Sequence, residues 1–88
     1  MLHLNIGICD DDKLYIKEIT KLLDRYMIQY DIDISYDTFT PLELLNRIST
    51  TPGCYDILFL DVEMSEMNGL ELSEKIRSIR RNIYIQFL

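Results

Sequence analysis

An α/β fold with a doubly wound parallel sheet, strand order 2-1-3-4, is what this 88-residue sequence predicts. Three observations carry that expectation. Short Ile- and Leu-rich runs alternate with stretches of helical periodicity along the chain, the pattern of βαβ units. Two of these runs read as buried throughout, whereas a third alternates polar and apolar residues like an edge strand. The two buried runs each stop at aspartate, at Asp10 and Asp61.

"LNIGIC", residues 4–9, fits the first buried strand. Asp10 to Asp12 end it and suit the start of a helix, whose first turn favours negative charge. Tyr15, Ile19, Leu22, Leu23, Tyr26 and Tyr30 then recur at three- and four-residue steps, as one face of an amphipathic helix does. "DIDISYDTF" alternates, with Ile32, Ile34 and Tyr36 on one side and Asp33, Ser35 and Asp37 on the other, and so reads as the edge strand.

"TPLE" at 40–43 is a strong helix start. Thr40 suits an N-cap, Pro41 the first helical turn, and Glu43 completes a capping box. Leu44, Leu45 and Ile48 give this helix its apolar face, and "TTPG" ends it. The third strand is expected at 56–60. Leu70, Leu72, Ile76 and Ile79 mark a third helix, and Lys75, Arg77, Arg80 and Arg81 complement its C-terminal end. "IYIQFL", residues 83–88, gives a fourth strand.

Composition narrows the function. Fifteen acids against nine bases leave a formal net charge of −6, which repels nucleic acid and anionic lipid. Direct nucleic-acid contact by this chain is therefore not expected. No apolar run reaches the roughly 18 residues of a membrane span. The N-terminus lacks a basic region and a cleavage site, so no signal peptide is expected. Cys9 and Cys54 have no metal or redox spacing and read as reduced, mostly buried thiols in a reducing compartment. A cytoplasmic location is the expectation.

The carboxylates carry the chemistry. In open α/β sheets the functional crevice lies beyond the C-terminal strand ends, where strand order reverses. With order 2-1-3-4, strands 1 and 3 are neighbours there, which brings Asp10 and Asp11 beside Asp61. Three gathered carboxylates repel one another, and Mg²⁺ suits an all-oxygen, partly hydrated pocket. A free carboxylate beside a charge-neutralising metal is also what an aspartyl-phosphate mechanism requires. Blander roles compete for the same residues. Asp10 to Asp12 serve equally well as helix-capping acids, and Asn68-Gly69 as a plain turn. Met64 and Met67 read as packing over the loop, His3 as a lone, unremarkable histidine near the terminus, and the tyrosines as core or helix surface.

"IGICDDDK", "DILFLDVEMSEMNGLEL" and "IYIQFL" together resemble the receiver domain of two-component response regulators, in the style of receivers joined to LytTR-type DNA-binding domains. The resemblance covers the whole chain and implies a flavodoxin-like sheet. It implies that Asp61 is the phosphoacceptor, that Asp11 binds Mg²⁺ directly and Asp10 largely through water, and that the Glu63 main-chain carbonyl adds a ligand. It implies a sensor histidine kinase as donor, regulation of transcription through a further domain, and no turnover chemistry. Gly69 would let the loop turn into the third helix, and Ser65 stands where the family usually has Pro. Family receivers continue with a fifth strand and two helices. They carry a Ser or Thr ending strand 4 and a Lys ending strand 5, beyond Leu88. Residues 1–88 are therefore expected to be the first four strands and three helices of a C-terminally truncated receiver. Such a piece should self-associate through its last strand, with Ile83, Ile85 or Phe87 near the contact.

Other classes fit these residues less well. Asp10-Asp11-Asp12 after a strand also resembles the Asp-x-Asp of haloacid-dehalogenase-type phosphatases, but Leu14 stands where that family has Thr or Val. A flavodoxin-like cofactor binder needs a phosphate-cradling loop after strand 1, which three aspartates would repel. A phosphate-independent interaction module of the same fold is the remaining alternative. Phosphoryl labelling of Asp61 separates it from the receiver reading.

Overall fold

The computed structural model describes residues 2–88. Strands β1 (His3–Cys9), β2 (Asp33–Phe39), β3 (Ile57–Leu60) and β4 (Tyr84–Phe87) alternate with helices α1 (Lys13–Tyr30), α2 (Pro41–Thr50) and α3 (Gly69–Ile79). All strand pairs are parallel and the order is β2-β1-β3-β4, as the sequence pattern predicts. Registers are set by the buried side of each strand, because a one-residue slip would turn it to water. Cys9 pairs with Phe39 on one side and Leu60 on the other, and Leu60 pairs with Phe87.

Each face of the sheet has its own core. Cys9, Leu58, Leu60, Tyr55 and Ile83 pack against Leu44 and Ile48 of α2 and Leu72 and Ile76 of α3. Ile6, Ile8 and Ile34 pack on the opposite face with Ile16, Ile19, Leu23 and Met27 of α1. The capping box of α2 forms as predicted: Thr40 Oγ accepts from the Glu43 N–H and Glu43 Oε1 accepts from the Thr40 N–H, with Pro41 in the first turn.

Three expectations need correction. The inward stripe of α1 is Ile16, Ile19, Leu23 and Met27, whereas Tyr15, Leu22, Tyr26 and Tyr30 are exposed. Leu22 and Leu23 cannot both face the sheet, being 100° apart on a helix, and Asp12 at the N-cap fixes the rotation. In α3 the buried residues are Gly69, Leu72 and Ile76, while Leu70 and Ile79 are exposed, because the helix presents only a narrow stripe to the sheet and α2. Ile83, expected at an outer contact, is 2% exposed and belongs to the core between β3 and α3. The basic end of α3 does bond carbonyls, as Arg77 donates to the Arg81 and Ile83 carbonyls and Arg80 to that of Tyr55.

Candidate functional site

β1 ends at Cys9 and β3 at Leu60, side by side in register. The ladder continues one step, with the Asp61 N–H donating 2.9 Å to the Cys9 carbonyl. That bond carries Asp61 beside Asp10 as both strands run out. Asp10, Asp11 and Asp61 each bring a carboxylate oxygen within 4.8 Å of the others. Asp10 is 7% exposed, Asp61 half-buried and Asp11 exposed. The three residues expected to meet do meet.

Each acid is held differently. Asp10 Oδ1 accepts from the Asp12 N–H at 2.9 Å. Burial pushes the Asp10 carboxyl above the ordinary carboxylate range; the Asp12 N–H opposes this and the Asp61 charge adds to it. Asp11 Oδ2 accepts from the Ser65 N–H at 3.1 Å, across from the β3–α3 loop. Asp12 turns away: its carboxylate accepts from the Leu14 and Tyr15 N–H groups and caps α1. The capping role therefore falls to Asp12, while Asp10 and Asp11 are free to face Asp61. Glu63 is exposed in the same loop, two residues past Asp61.

The loop 62–68 is fastened at both ends. The Gly69 N–H donates 2.7 Å to the Val62 carbonyl, and a Cβ at 69 would overlap the Asp61 carbonyl oxygen. Glycine is needed here for close approach, since its φ is not positive. Asn68 is the N-cap of α3 and accepts from the Glu71 N–H, so the Asn-Gly pair starts a helix and does not make a hairpin turn. Asp10 and Asp11 also border an open cleft of about 450 Å³, lined among others by Lys13, Ile16, Thr38 and Phe39. Sequence reasoning missed this cleft, because it depends on how the β2–α2 loop sits against α1.

The donor set fits a hard cation. It is all oxygen, brings three carboxylate oxygens within 4.8 Å of one another, and is open to water on the Asp11 side. Cys9, beside it, is no competitor for soft metals. Burial pushes its thiol up to about 12, and its Sγ–H donates to Met64 Sδ at 3.7 Å. His3, near the terminus and exposed, pairs with Asp33 at 2.6 Å and Asn5 at 3.1 Å at the far end of the sheet.

Comparison with known proteins agrees with this fold. The model of the response regulator receiver domain family matches residues 6–88. The transcriptional regulatory protein NatR of Bacillus subtilis (strain 168) is 26% identical over 85 residues, 97% of this chain and 34% of NatR. The crystal structure of the N-terminal domain of a response regulator receiver protein from Methanoculleus marisnigri JR1 superposes with a TM-score of 0.73 at 24% identity, over 96% of this chain and 64% of that one. The structure of histidine kinase ThkA in complex with response regulator protein TrrA aligns with a TM-score of 0.65 at 26% identity, over 96% of this chain and 66% of that one. The chain thus spans about a third of NatR and just under two thirds of each of these two solved chains.

Proposed function

The chain belongs to the response regulator receiver domain family of two-component signalling, and from that premise we propose that it accepts a phosphoryl group on Asp61. The observation that carries the reading is the meeting of Asp10, Asp11 and Asp61 at the C-terminal ends of β1 and β3. A sensor histidine kinase is the proposed donor, and the similarity to a response regulator solved with its kinase supports this.

An Asp61 carboxylate oxygen attacks the phosphorus of a phosphohistidine in line. The P–O bond forms as the P–N bond breaks, and the electron pair leaves on the imidazole, which takes a proton from water. Asp10, Asp11, Asp61 and the Glu63 main-chain carbonyl would hold Mg²⁺, with Asp11 bound directly and Asp10 through water. The ion, when bound, neutralises charge on the phosphoryl oxygens. The main-chain bonds from Asp12 to Asp10 and from Asp61 to Cys9 keep the acids in place before the donor arrives. The acyl phosphate carries roughly −1.5 to −2 charges where the free carboxylate carries −1, and this change at the sheet edge biases a two-state element. Regulation of transcription through a DNA-binding domain is proposed for the whole protein, in keeping with the similarity to NatR. Residues 1–88 are proposed to form the N-terminal part of that receiver, acting as phosphoacceptor and not as a turnover enzyme. For the 88-residue chain by itself, self-association through β4 is proposed. No helix among the described residues is long and apolar enough to cross a membrane, which suits the proposed cytoplasmic location.

The test is phosphoryl labelling of the natural protein with Mg²⁺ and acetyl phosphate. One acyl phosphate, labile to base and to hydroxylamine, should form on Asp61 and vanish in Asp61→Asn, which keeps the shape and removes the nucleophile. Labelling that persists at Asp10 or Asp12 in that variant overturns the reading.

A further inference from the structure

Three consecutive residues of the β3–α3 loop touch three different parts of the molecule. Met64 Sδ accepts from the Cys9 thiol at the end of β1, the Ser65 N–H donates to Asp11, and Glu66 Oε1 accepts from the Leu42 N–H in the first turn of α2 at 3.2 Å. The Ser65 N–H is therefore set in space by contacts on either side of it, independently of Asp11. Asp11, by contrast, is the exposed member of the carboxylate cluster and receives no other hydrogen bond among the described residues.

We propose that the Ser65 main-chain N–H is the positioning donor for Asp11, holding its carboxylate turned toward Asp10 and Asp61 for a divalent cation. The proposal rests on the metal reading above and assigns a role to a residue that reading does not use. A ligating carboxylate binds best when its remaining lone pairs are already engaged. Mg²⁺ demands near-octahedral geometry at about 2.0–2.1 Å, so a ligand free to rotate costs affinity. The donor is an N–H of the backbone, so the serine hydroxyl is dispensable and only a residue without an N–H removes it.

The test compares Ser65→Ala, which keeps the N–H, with Ser65→Pro, which removes it. Mg²⁺ affinity is followed by calorimetry and by amide shifts, with metal-free melting as the control for folding. Ser65→Ala should bind Mg²⁺ as the unaltered protein does, and Ser65→Pro about 10-fold or more weakly. Independently, the Ser65 amide of the metal-free protein should be protected from hydrogen exchange, and Asp11→Ala should abolish that protection. Asp11→Asn, which keeps an acceptor oxygen, should retain it. Equal Mg²⁺ affinity in the proline and alanine variants overturns the positioning role and leaves the metal reading intact. No Mg²⁺ binding by the unaltered protein overturns both. If Ser65→Pro does not fold, the exchange measurement decides, and unchanged protection in Asp11→Ala overturns the proposal.

Discussion

The Tyr55 hydroxyl donates a 2.6 Å hydrogen bond to the Asp37 carboxylate, joining the residue that leads into β3 to the edge strand β2. Tyr55 is 3% exposed, and its ring meets Phe39 edge-on at 5.7 Å. Phenylalanine at 55 would keep the ring contact and lose only the bond to a charged acceptor. Tyr55→Phe should therefore destabilise the protein by about 1.5 kcal/mol, the low end for a charged partner because Asp37 is left facing water. Asp37→Ala should add little in that background. Chemical denaturation of the two single variants and the double variant checks this, and additive losses would show that the pair is not coupled.

Asp10→Asn should stabilise the metal-free protein at neutral pH. The substitution keeps an acceptor for the Asp12 N–H and removes a buried charge that stands beside Asp61. Relief of about 1 kcal/mol would raise the melting temperature by roughly 4–8 °C in a domain of this size. The gain in melting temperature on adding Mg²⁺ should shrink in the same variant, since a ligand is lost. A lower metal-free melting temperature than that of the unaltered protein would contradict the repulsion argument.

The histidine gives a pH test at the far end of the sheet. The hydrogen bond to Asp33 raises the His3 pKa above its ordinary 6.5, and the Asn5 side chain adds to this. A raised folded-state value means the contact contributes fully below pH 6.5 and is lost as pH rises through the higher folded value. The chain has one histidine, so its ring resonances titrate alone in an NMR experiment. The midpoint should lie above 6.5 and fall in Asp33→Asn. An unchanged midpoint in that variant would remove the ion pair as the cause.

The outer edge of β4 is unpaired among the described residues, and Tyr84 and Phe87 are 61% and 37% exposed. On the other face α1 shows Tyr15, Leu22, Tyr26 and Tyr30 to water. An unpaired strand edge with apolar side chains recruits a second edge. The 88-residue chain should sediment as a dimer or larger at high concentration, and Phe87→Lys should shift it toward monomer. A stable monomer before substitution would defeat the expectation.

Much of the architecture lies in local pattern. Alternation at Ile32, Ile34 and Tyr36 marks β2 as an edge, and β2 is at the edge. "TPLE" specifies a cap and a first turn through residues three apart, and the capping box forms. Asp10, Asp11 and Asp61 were legible as a cluster because parallel strand order is itself set by local burial patterns, and order alone decides which strand ends are neighbours.

What the sequence left open is whatever depends on the rotation of one element against another. Helical spacing placed Tyr15, Leu22, Tyr26 and Tyr30 on one face with Ile19 and Leu23, but packing on Ile6, Ile8 and Ile34 selects Ile16, Ile19, Leu23 and Met27. Several stripes satisfy a 3.6-residue period, and only contact with the sheet chooses among them. The same holds for Ile83, which faces the core because the turn after α3 aims it there. The Ser65 N–H beside Asp11 and the Glu66 carboxylate on α2 join residues 54 and 24 positions apart. No spacing rule encodes such bonds, because backbone donors are the same at every residue and only the folded loop decides which acid they meet.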